Sequence, residues 1–467
     1  MNAPQKVGIF DTNHRSLTFG ILLGVTLVAF EALAVVTIAP RLSAELGGTN
    51  LYGWVFSGLL LTSLVGTVLG GQLADERGPG QVIFLGIAVF GLGLIVGAAA
   101  PSMPVLILGR LLQGLGGGAM VTALYAVVNL AYSDALRPTL FAAMSSAWVV
   151  PGLVGPLLAA FVASHVGWRA VFWGLLPLLL VVAALTVPAF RRFPKPEPKG
   201  GASRLPKALQ LALGTGLFLS GLTLGTWWGA LLLVVGGPLA LLSLRSLVPA
   251  GTLSARAGLP AVVASRALFY SSFAGVEAFL AYMLIRIHHY DEVTASVVIA
   301  TGALSWASGS FVQARLDKRA TGEGPRTRRV QTGVVLISVG LTVQLAALFS
   351  PALSLPISVV GWGLAGLGMG LAHATSSVLA FADAPEGEGG QVSASLQLAD
   401  QFSSALSAGI GGALLALATR LGLSETSGVA WAFVFCLMLV YLSLFTVRRL
   451  GRAKNVSERA LVTGAGK

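Results

Sequence analysis

The feature that most constrains this chain is a series of apolar blocks, each about 20 residues long and separated by short polar segments. A helix of that length crosses the ~30 Å hydrocarbon core of a bilayer, whereas barrel strands would alternate apolar and polar residues. We therefore predict an all-α membrane protein with about fourteen spans. Their approximate limits are 17–39, 53–74, 81–100, 104–131, 138–163, 168–190, 207–224, 227–247, 260–285, 293–314, 330–349, 355–380, 391–418 and 428–447.

The basic residues predict the orientation in the membrane. The net charge is +12, but only 10% of the residues are charged, against about 25% in soluble proteins. If the N-terminus is cytoplasmic, about 25 of the 30 Lys and Arg residues lie at the inner side, mainly in 191–207, 315–329 and 448–454. We therefore expect a multi-pass protein of the cell membrane with cytoplasmic termini, bound to lipid and not to nucleic acid. Four basic residues fall outside: Arg41, Arg169, Arg286 and Arg420.

Two halves of the chain resemble each other. LVAFEALAVV (27–36) and FAGVEAFLAYM (273–283) each place a glutamate before alanine within a span. Glu31 precedes Asp75 by 44 residues, and Glu277 precedes Asp317 by 40. Helices of similar composition can look alike by chance, but two matched features at nearly equal spacing favour a repeat of six spans. The expected organisation is a cytoplasmic N-terminus (1–16), a six-helix bundle (17–190), a linker with two extra helices (191–259), a second six-helix bundle (260–449) and a cytoplasmic tail (450–467).

Five short segments carry a resemblance to a known family. They are FEALAVVTIAP (30–40), GQLADERG (71–78), LILGRLLQGLGGGAM (106–120), VPGLVGPLLAA (150–160) and WRAVFWGLLP (168–177). In this order they resemble the signatures of the major facilitator superfamily, most closely its fourteen-spanning drug:proton antiporter branch. The sequence departs from that pattern at Glu31, where Asp is typical, and at Glu76, where the family has Arg.

The resemblance implies two six-helix bundles that alternate between two access states. It also implies conformational roles for the residues that match the family signatures and their repeat in the second half. These residues are Gly71, Asp75, Arg77, Gly78, Gly114, Gly155, Pro156, Arg315 and Asp317. Pro156 is expected to bend the fifth span, because proline removes a backbone hydrogen bond. That bend would either shape an occluded site or only aid packing.

Glu31 is the central candidate for chemistry. A charge at bilayer depth is costly unless it is paired, neutralised or faces water. If Pro40 ends the first helix, Glu31 lies ~13 Å deep and Arg110 ~9 Å deep, so the two could meet. A carboxylate beside Arg stays ionised, and one left alone in a low dielectric takes a proton. The pair would therefore couple proton movement to conformational change, or it would be a permanent structural ion pair.

Two further acidic residues lie within spans of the second half. Glu277 has no arginine in the span that matches the fourth, so it would be protonated, bind a cationic substrate or form a structural hydrogen bond. Asp400 lies in a polar stripe with Gln397 and Gln401, which is typical of a cavity wall. We assign proton coupling to Glu31, Arg110, Glu277 and Asp400. The predicted cavity lining consists of Phe30, Gln113, Tyr125, Trp148, Phe269, Trp306, Gln397 and Gln401.

The function that these features favour is secondary active export. The sequence contains no nucleotide motif, so an ion gradient would drive proton-coupled antiport of amphipathic or cationic compounds. The alternatives are lipid export, solute uptake by symport and, for a protein that does not transport, membrane sensing. We expect no enzymatic activity, no cofactor and no metal site, and a monomer that binds small-molecule substrates and protons.

Overall fold

The computed structural model describes residues 8–11, 14–133, 136–190, 203–319, 323–383 and 389–450. Within these ranges the chain is helical and contains no strand. Among the described residues, thirteen helices are long and apolar enough to cross a membrane. The predicted all-helical membrane fold is therefore confirmed. The predicted tails and the linker lie partly outside the described residues, at 1–7, 12–13, 191–202 and 451–467.

Fifteen α-helices follow one another in the described part of the chain. In order, α1 to α15 are Arg15–Leu46, Trp54–Arg77, Pro79–Ala98, Met103–Ala131, Arg137–Ser146, Val149–His165, Arg169–Phe190, Leu205–Leu224, Trp227–Leu247, Leu259–Tyr282, Glu292–Arg319, Glu323–Leu348, Ser354–Ala382, Gly389–Arg420 and Glu425–Thr446. A π-helical turn, Met283–Ile287, extends α10. Short 3₁₀ turns occur at Thr49–Leu51, Thr252–Ser254, Pro351–Leu353 and Val447–Arg449.

The helices form two compact units. The first comprises residues up to 47 and 58–209, and the second comprises 48–57 and the residues from 210 onward. The turn before α2, most of α8 and all of α9 therefore group with the second unit. The first unit contains α1, most of α2, and α3 to α7, and the second contains α10 to α15 together with the central helix pair.

Glycines let α4 pack closely against two neighbours in the first unit. A Cβ at Gly116 would collide with the backbone of Phe90 on α3, and one at Gly118 would collide with the backbone of Ser63 on α2. Gly114, a predicted motif residue, meets α2 at the carbonyl of Leu59 in the same way. Small residues permit this approach where helices pack in a bilayer. The glycine-rich run of α4 is thus a packing surface on two sides.

Glycines also permit close helix packing in the second unit. A Cβ at Gly368 of α13 would collide with the backbone of α12 at Gly333, and one at Gly366 would collide with the backbone of α11 at Gly302. The central pair, α8 and α9, forms a hairpin through Gly225 and Thr226, and Gly214 of α8 packs against the α9 backbone. Each unit therefore has one helix, α4 or α13, that packs between two others through glycines.

The fifth predicted span is wrong as a single helix. The expected span 138–163 is broken into α5 and α6 between Ser146 and Val149. Pro151 explains the break, because its ring excludes the carbonyl of residue 147, four positions earlier, from the helical ladder. The hydroxyl of Thr26 on α1 donates to that carbonyl of Ala147 at 3.4 Å. Pro156, which we expected to bend the fifth span, lies inside α6.

The first helix is longer than predicted. Pro40 was expected to end it, but α1 continues through Pro40 to Leu46 and stops before Gly47, whose φ is +69°. Glu31 consequently lies near the middle of α1, about 24 Å from Arg15 and about 22 Å from Leu46 at 1.5 Å per residue. The expected distance of ~13 Å from Glu31 to the end of the helix was too small, and Glu31 is farther from both helix ends than we expected.

Candidate functional site

The first unit buries an ion pair between α1 and α4. The guanidinium Nη1 of Arg110 donates to the carboxylate Oε1 of Glu31, and both residues are 1% exposed. The same Nη1 donates to Oε1 of Gln113, one helical turn along α4, at 2.8 Å. The structure therefore brings together the two residues that the sequence indicated, with Gln113 as a neighbour of the pair and not as part of an open cavity wall.

The hydrogen bonding of this pair is incomplete. Oε2 of Glu31 and Nε2 of Gln113 are both buried and have no hydrogen-bond partner among the described residues. Buried polar atoms are normally bonded, since leaving one unsatisfied costs about 1–3 kcal/mol. The pair therefore leaves one buried carboxylate oxygen of Glu31 unsatisfied within the described residues.

The aromatic residues predicted to line a cavity in the first unit occupy different settings. Phe30 is half-buried, and its ring lies 3.5 Å from the position of a Cβ at Gly155. Trp148 lies at the break between α5 and α6 and is 43% exposed. Tyr125 is half-buried on α4. Gly155 is thus the point at which α6 approaches Phe30 of α1.

The predicted loop motif of the first unit lies at the junction of α2 and α3. Gly78 has a φ of +90° between the two helices, which explains the glycine at this tight turn. Asp75 and Arg77 are exposed. Gly71 is half-buried on α2, where a Cβ would make an ordinary contact of 3.7 Å with Thr122.

The second unit contains a polar cluster that joins α10, α13 and α14. Arg266 donates through Nε and Nη2 to the two carboxylate oxygens of Asp400, at 2.8 and 2.6 Å. Nε2 of His373 lies 2.6 Å from Arg266 Nη2 and 3.2 Å from Asp400 Oδ2. Nη1 of Arg266 donates to the hydroxyl of Ser377 at 2.6 Å. Both oxygens of Asp400 therefore have partners, unlike those of Glu31.

Sequence reasoning missed Arg266 as a functional residue. It was counted with the inner helix ends, although it stands seven residues after the start of α10. The spacing to Glu277 is eleven residues, which is three helical turns within about 20°, so both lie on one face of α10 about 16 Å apart. That spacing is the signal that could have identified it. Asp400 was expected to line a cavity and to couple protons, and the structure pairs it with Arg266.

Glu277 has a different environment from both clusters. It is half-buried, and among the described residues no side chain or backbone group hydrogen-bonds to it or forms an ion pair with it. Its carboxylate lies on the face of α10 that also carries Tyr270 and Phe273. An acidic group that is partly accessible and unpaired within a span is a candidate to bind a cation or a proton.

Aromatic rings fill the space between Arg266 and Glu277 along α10. The Trp306 ring of α11 lies 6.2 Å from Tyr270, 5.5 Å from Phe273 and 5.4 Å from His373, measured between centroids. Trp306 is half-buried, as a cavity-lining residue would be. Phe269 is not, because it is 0% exposed and belongs to the core, which corrects its predicted place in the cavity.

The two predicted glutamines of α14 also separate. Gln397 is exposed. Gln401 is half-buried, and its Oε1 is buried without a hydrogen-bond partner among the described residues. Gln401 directly follows Asp400, so an unsatisfied acceptor lies next in sequence to the polar cluster.

The loop motif of the second unit forms an ion-pair lock at Asp317, whereas among the described residues Asp75 has no ion pair. Arg326 holds both oxygens of Asp317 at 2.9 Å, and Arg329 adds a third bond at 2.9 Å. Arg315 is exposed. The sequence singled out Asp317 but not its partners on α12. Bidentate arginine–carboxylate pairs fix orientation as well as charge, so this lock ties the end of α11 to α12.

Comparison with known proteins identifies the class. The sequence model of the Major Facilitator Superfamily matches residues 21–408, and the chain belongs to that family of membrane transporters. A protein of Mycobacterium tuberculosis named as a probable multidrug-efflux transporter is 26% identical over 431 residues, which cover 88% of this chain and 89% of the relative. An efflux pump of Aspergillus brasiliensis is 30% identical over 217 residues, or 46% of this chain and 38% of that pump.

Solved structures agree on the fold. An auto-inhibited peptide transporter of the POT family superimposes with a TM-score of 0.65 at 17% identity, over 92% of this chain and 97% of that one. The POT family transporter PepTSo gives a TM-score of 0.66 at 15% identity, over 92% and 97%. The protein is therefore a multi-pass membrane transporter of the major facilitator fold, with efflux proteins among its relatives. Members of this family transport solutes and are not enzymes.

Proposed function

We propose that this protein exports amphipathic or cationic compounds by proton-coupled antiport. The observation that carries the proposal is the buried Glu31–Arg110 pair, whose second carboxylate oxygen has no partner among the described residues. The efflux relatives support the direction of transport. The distribution of Lys and Arg supports a cell-membrane location with cytoplasmic termini.

Coupling follows from the alternatives open to a buried carboxylate. While Arg110 bonds Glu31, the charge pair is neutral overall and the carboxylate stays ionised. If a conformational change draws α1 from α4, the isolated charge would be strongly unfavourable at that depth, and Glu31 would take a proton instead. When the site opens to the opposite side of the membrane, the Glu31–Arg110 pair forms again and Glu31 releases the proton to that side. One cycle thus moves a proton in exchange for substrate.

Glu277 is the proposed substrate-binding acid. It is half-buried and unpaired among the described residues, and aromatic rings on α10 and α11 lie one to two turns away. An anionic group beside aromatic faces suits an amphipathic cation, which gains both charge pairing and stacking. Asp400 has its oxygens bonded by Arg266 and His373, so we propose that it stabilises α10, α13 and α14 and does not exchange a proton.

A reconstituted transport assay tests the coupling. The full chain is placed in proteoliposomes with an imposed pH gradient, and movement of the fluorescent cation ethidium is recorded. Glu31→Gln should abolish gradient-driven transport while the protein still inserts, because the amide cannot exchange a proton. Glu76→Gln, at the exposed end of α2, is the matched control and should transport like the wild type. Gradient-driven transport at the wild-type rate by Glu31→Gln would falsify the coupling role.

A further inference from the structure

The second unit contains a cavity of about 540 Å³ at the C-terminal end of α14, which the sequence predicts to face outward. It is bordered by the end of α8, the 3₁₀ turn that precedes α2 and the end of α14. Its polar lining includes Thr49, Asn50, Thr223, Thr419 and Arg420. This cavity is separate from the Arg266 cluster and from Glu277, since none of those residues lines it.

Arg420 is held at this cavity by neutral groups. Its guanidinium donates to the backbone carbonyls of Leu222 at 3.2 Å and Ala416 at 3.4 Å. It also lies directly against Gly225, whose φ is +59°, and a Cβ there would collide with the guanidinium. Carbonyl oxygens orient the side chain but leave its positive charge without a counter-charge.

The other arginines at the ends predicted to face outward are neutralised. Arg41 and Arg169 lie near Glu45, and Arg286 lies near Glu425. The nitrogen–oxygen distances are 2.8, 3.9 and 3.1 Å respectively. Arg420 differs, because no carboxylate of the described residues lies within 4.0 Å of it. Arg420, the arginine of this group that has no anionic partner among the described residues, is also the arginine that borders the cavity.

The surroundings of the cavity match the edge of a bilayer. Trp227 and Trp228 begin α9 with rings stacked at 3.6 Å, and they are 67% and 57% exposed. Exposed tryptophans of this kind sit at the headgroup level of membranes. Beyond them α9 presents exposed apolar side chains such as Val234 and Leu242, which suit acyl chains. A headgroup at Arg420 would therefore have its tails along an apolar helix.

From this geometry we infer that the cavity binds the phosphate headgroup of an anionic phospholipid. A guanidinium binds phosphate oxygens through two parallel hydrogen bonds. The hydroxyl and amide groups around it can contact the glycerol part of a headgroup, and the Trp54 ring adds an apolar wall. The bound lipid would fasten α8 and α9 to the end of α14, and thereby anchor the central helix pair to the second unit.

Lipid titration of the delipidated full-length protein tests this assignment. Native mass spectrometry follows the binding of phosphatidylglycerol, with phosphatidylcholine as the zwitterionic comparison. The wild type should bind one phosphatidylglycerol with preference, and Arg420→Gln should weaken that binding about tenfold or more through loss of a charge-assisted contact. Arg286→Gln removes a paired arginine from the same predicted side and should leave the binding unchanged.

A second variant keeps the charge and moves it. Gly225→Ala places a methyl group where the guanidinium lies, so it should also weaken phosphatidylglycerol binding, even if Arg420→Gln does not fold. Equal binding by the wild type and the folded variants would overturn the site. Equal affinity for phosphatidylcholine would remove the anionic requirement. Displacement of the lipid by millimolar inorganic phosphate would assign the site to a free anion.

Discussion

The two units bury their acid–arginine pairs in opposite arrangements. In the first unit the acid, Glu31, lies on the first helix and Arg110 lies on the fourth span, α4. In the second unit the arginine, Arg266, lies on the first helix of the repeat, α10, and Asp400 lies on α14. The position that corresponds to Glu31 holds Glu277, which remains unpaired among the described residues. The repeated fold is therefore kept while its charges are redistributed.

The pairs also differ in how completely they are bonded. Asp400 accepts bonds at both oxygens, and Arg266 has further partners in His373 and Ser377. The pair of the first unit leaves one oxygen of Glu31 unsatisfied. A fully satisfied network is rigid, whereas a partly satisfied one is closer to an alternative state. From this comparison we propose that the first unit holds the mobile charge and the second unit the fixed one.

The largest effect is expected from removing Arg110. Arg110→Met leaves the Glu31 carboxylate buried without its counter-charge, which should destabilise the protein by about 3–5 kcal/mol. Thermal unfolding in detergent measures the loss. The double variant Arg110→Met with Glu31→Gln removes both charges and should regain most of that stability.

The double variant also separates the two roles of the pair. If the pair is only structural, restoring stability should restore transport. We expect instead that the stable double variant shows no gradient-driven ethidium movement in proteoliposomes. Normal coupling in that variant would show that the Glu31–Arg110 pair of the wild type is only structural, as we propose for the Arg266–Asp400 pair.

A smaller effect is expected at the cluster of the second unit. Asp400→Asn keeps the shape of the side chain and leaves Arg266 its bonds to Ser377 and the His373 carbonyl. The free energy of unfolding should fall by about 1–3 kcal/mol, less than for Arg110→Met, because the amide oxygen can still accept a bond from Arg266 and the side chain of Asp400 is 16% exposed. The folded protein should still move ethidium in response to a pH gradient. Loss of coupling without loss of stability would make Asp400 a proton carrier and remove the contrast between the units.

Glu277 should affect substrate binding and not stability. Since it has no partner among the described residues, Glu277→Gln should change the free energy of unfolding by no more than about 0.5 kcal/mol. Binding of the cation ethidium should weaken about tenfold, while binding of a neutral amphipathic compound should persist. Fluorescence titration of the purified protein measures both. Unchanged ethidium binding would exclude Glu277 as the cation site.

The sequence predicted the helical membrane fold because hydropathy depends on length and composition alone. The predicted helix limits were wrong where a proline removes a hydrogen bond from the backbone carbonyl four residues earlier. Pro151 breaks the fifth span at a carbonyl four residues earlier, and Pro40 leaves α1 continuous. Pro151 and Pro40 each remove one backbone hydrogen bond from a helix. Whether the helix then breaks or continues depends on the surrounding packing, which the sequence does not show.

The candidate residues were recoverable where both partners stood out from apolar surroundings, as Glu31 and Arg110 do. Arg266 did not stand out, because a basic residue near a helix end also fits the orientation rule. His373 and Asp400 lie 27 residues apart on different helices, and no periodicity joins them. Side-chain clusters between helices depend on rotation of each helix about its axis, which a single sequence specifies poorly.

The smallest effect is expected at the two loop motifs, and it compares the units most directly. Asp317 makes three bonds to Arg326 and Arg329 but is 24% exposed, so solvent screening should reduce the effect of Asp317→Asn to about 1 kcal/mol. Asp75→Asn, at the matching position, changes an exposed side chain and should be neutral within about 0.5 kcal/mol. Raising the salt concentration should lower the stability of the wild type toward that of Asp317→Asn, and leave Asp75→Asn parallel to the wild type. If both variants lose the same stability, the first unit must form a lock at Asp75 as strong as that at Asp317, and the loops would then be equivalent where the buried pairs are not.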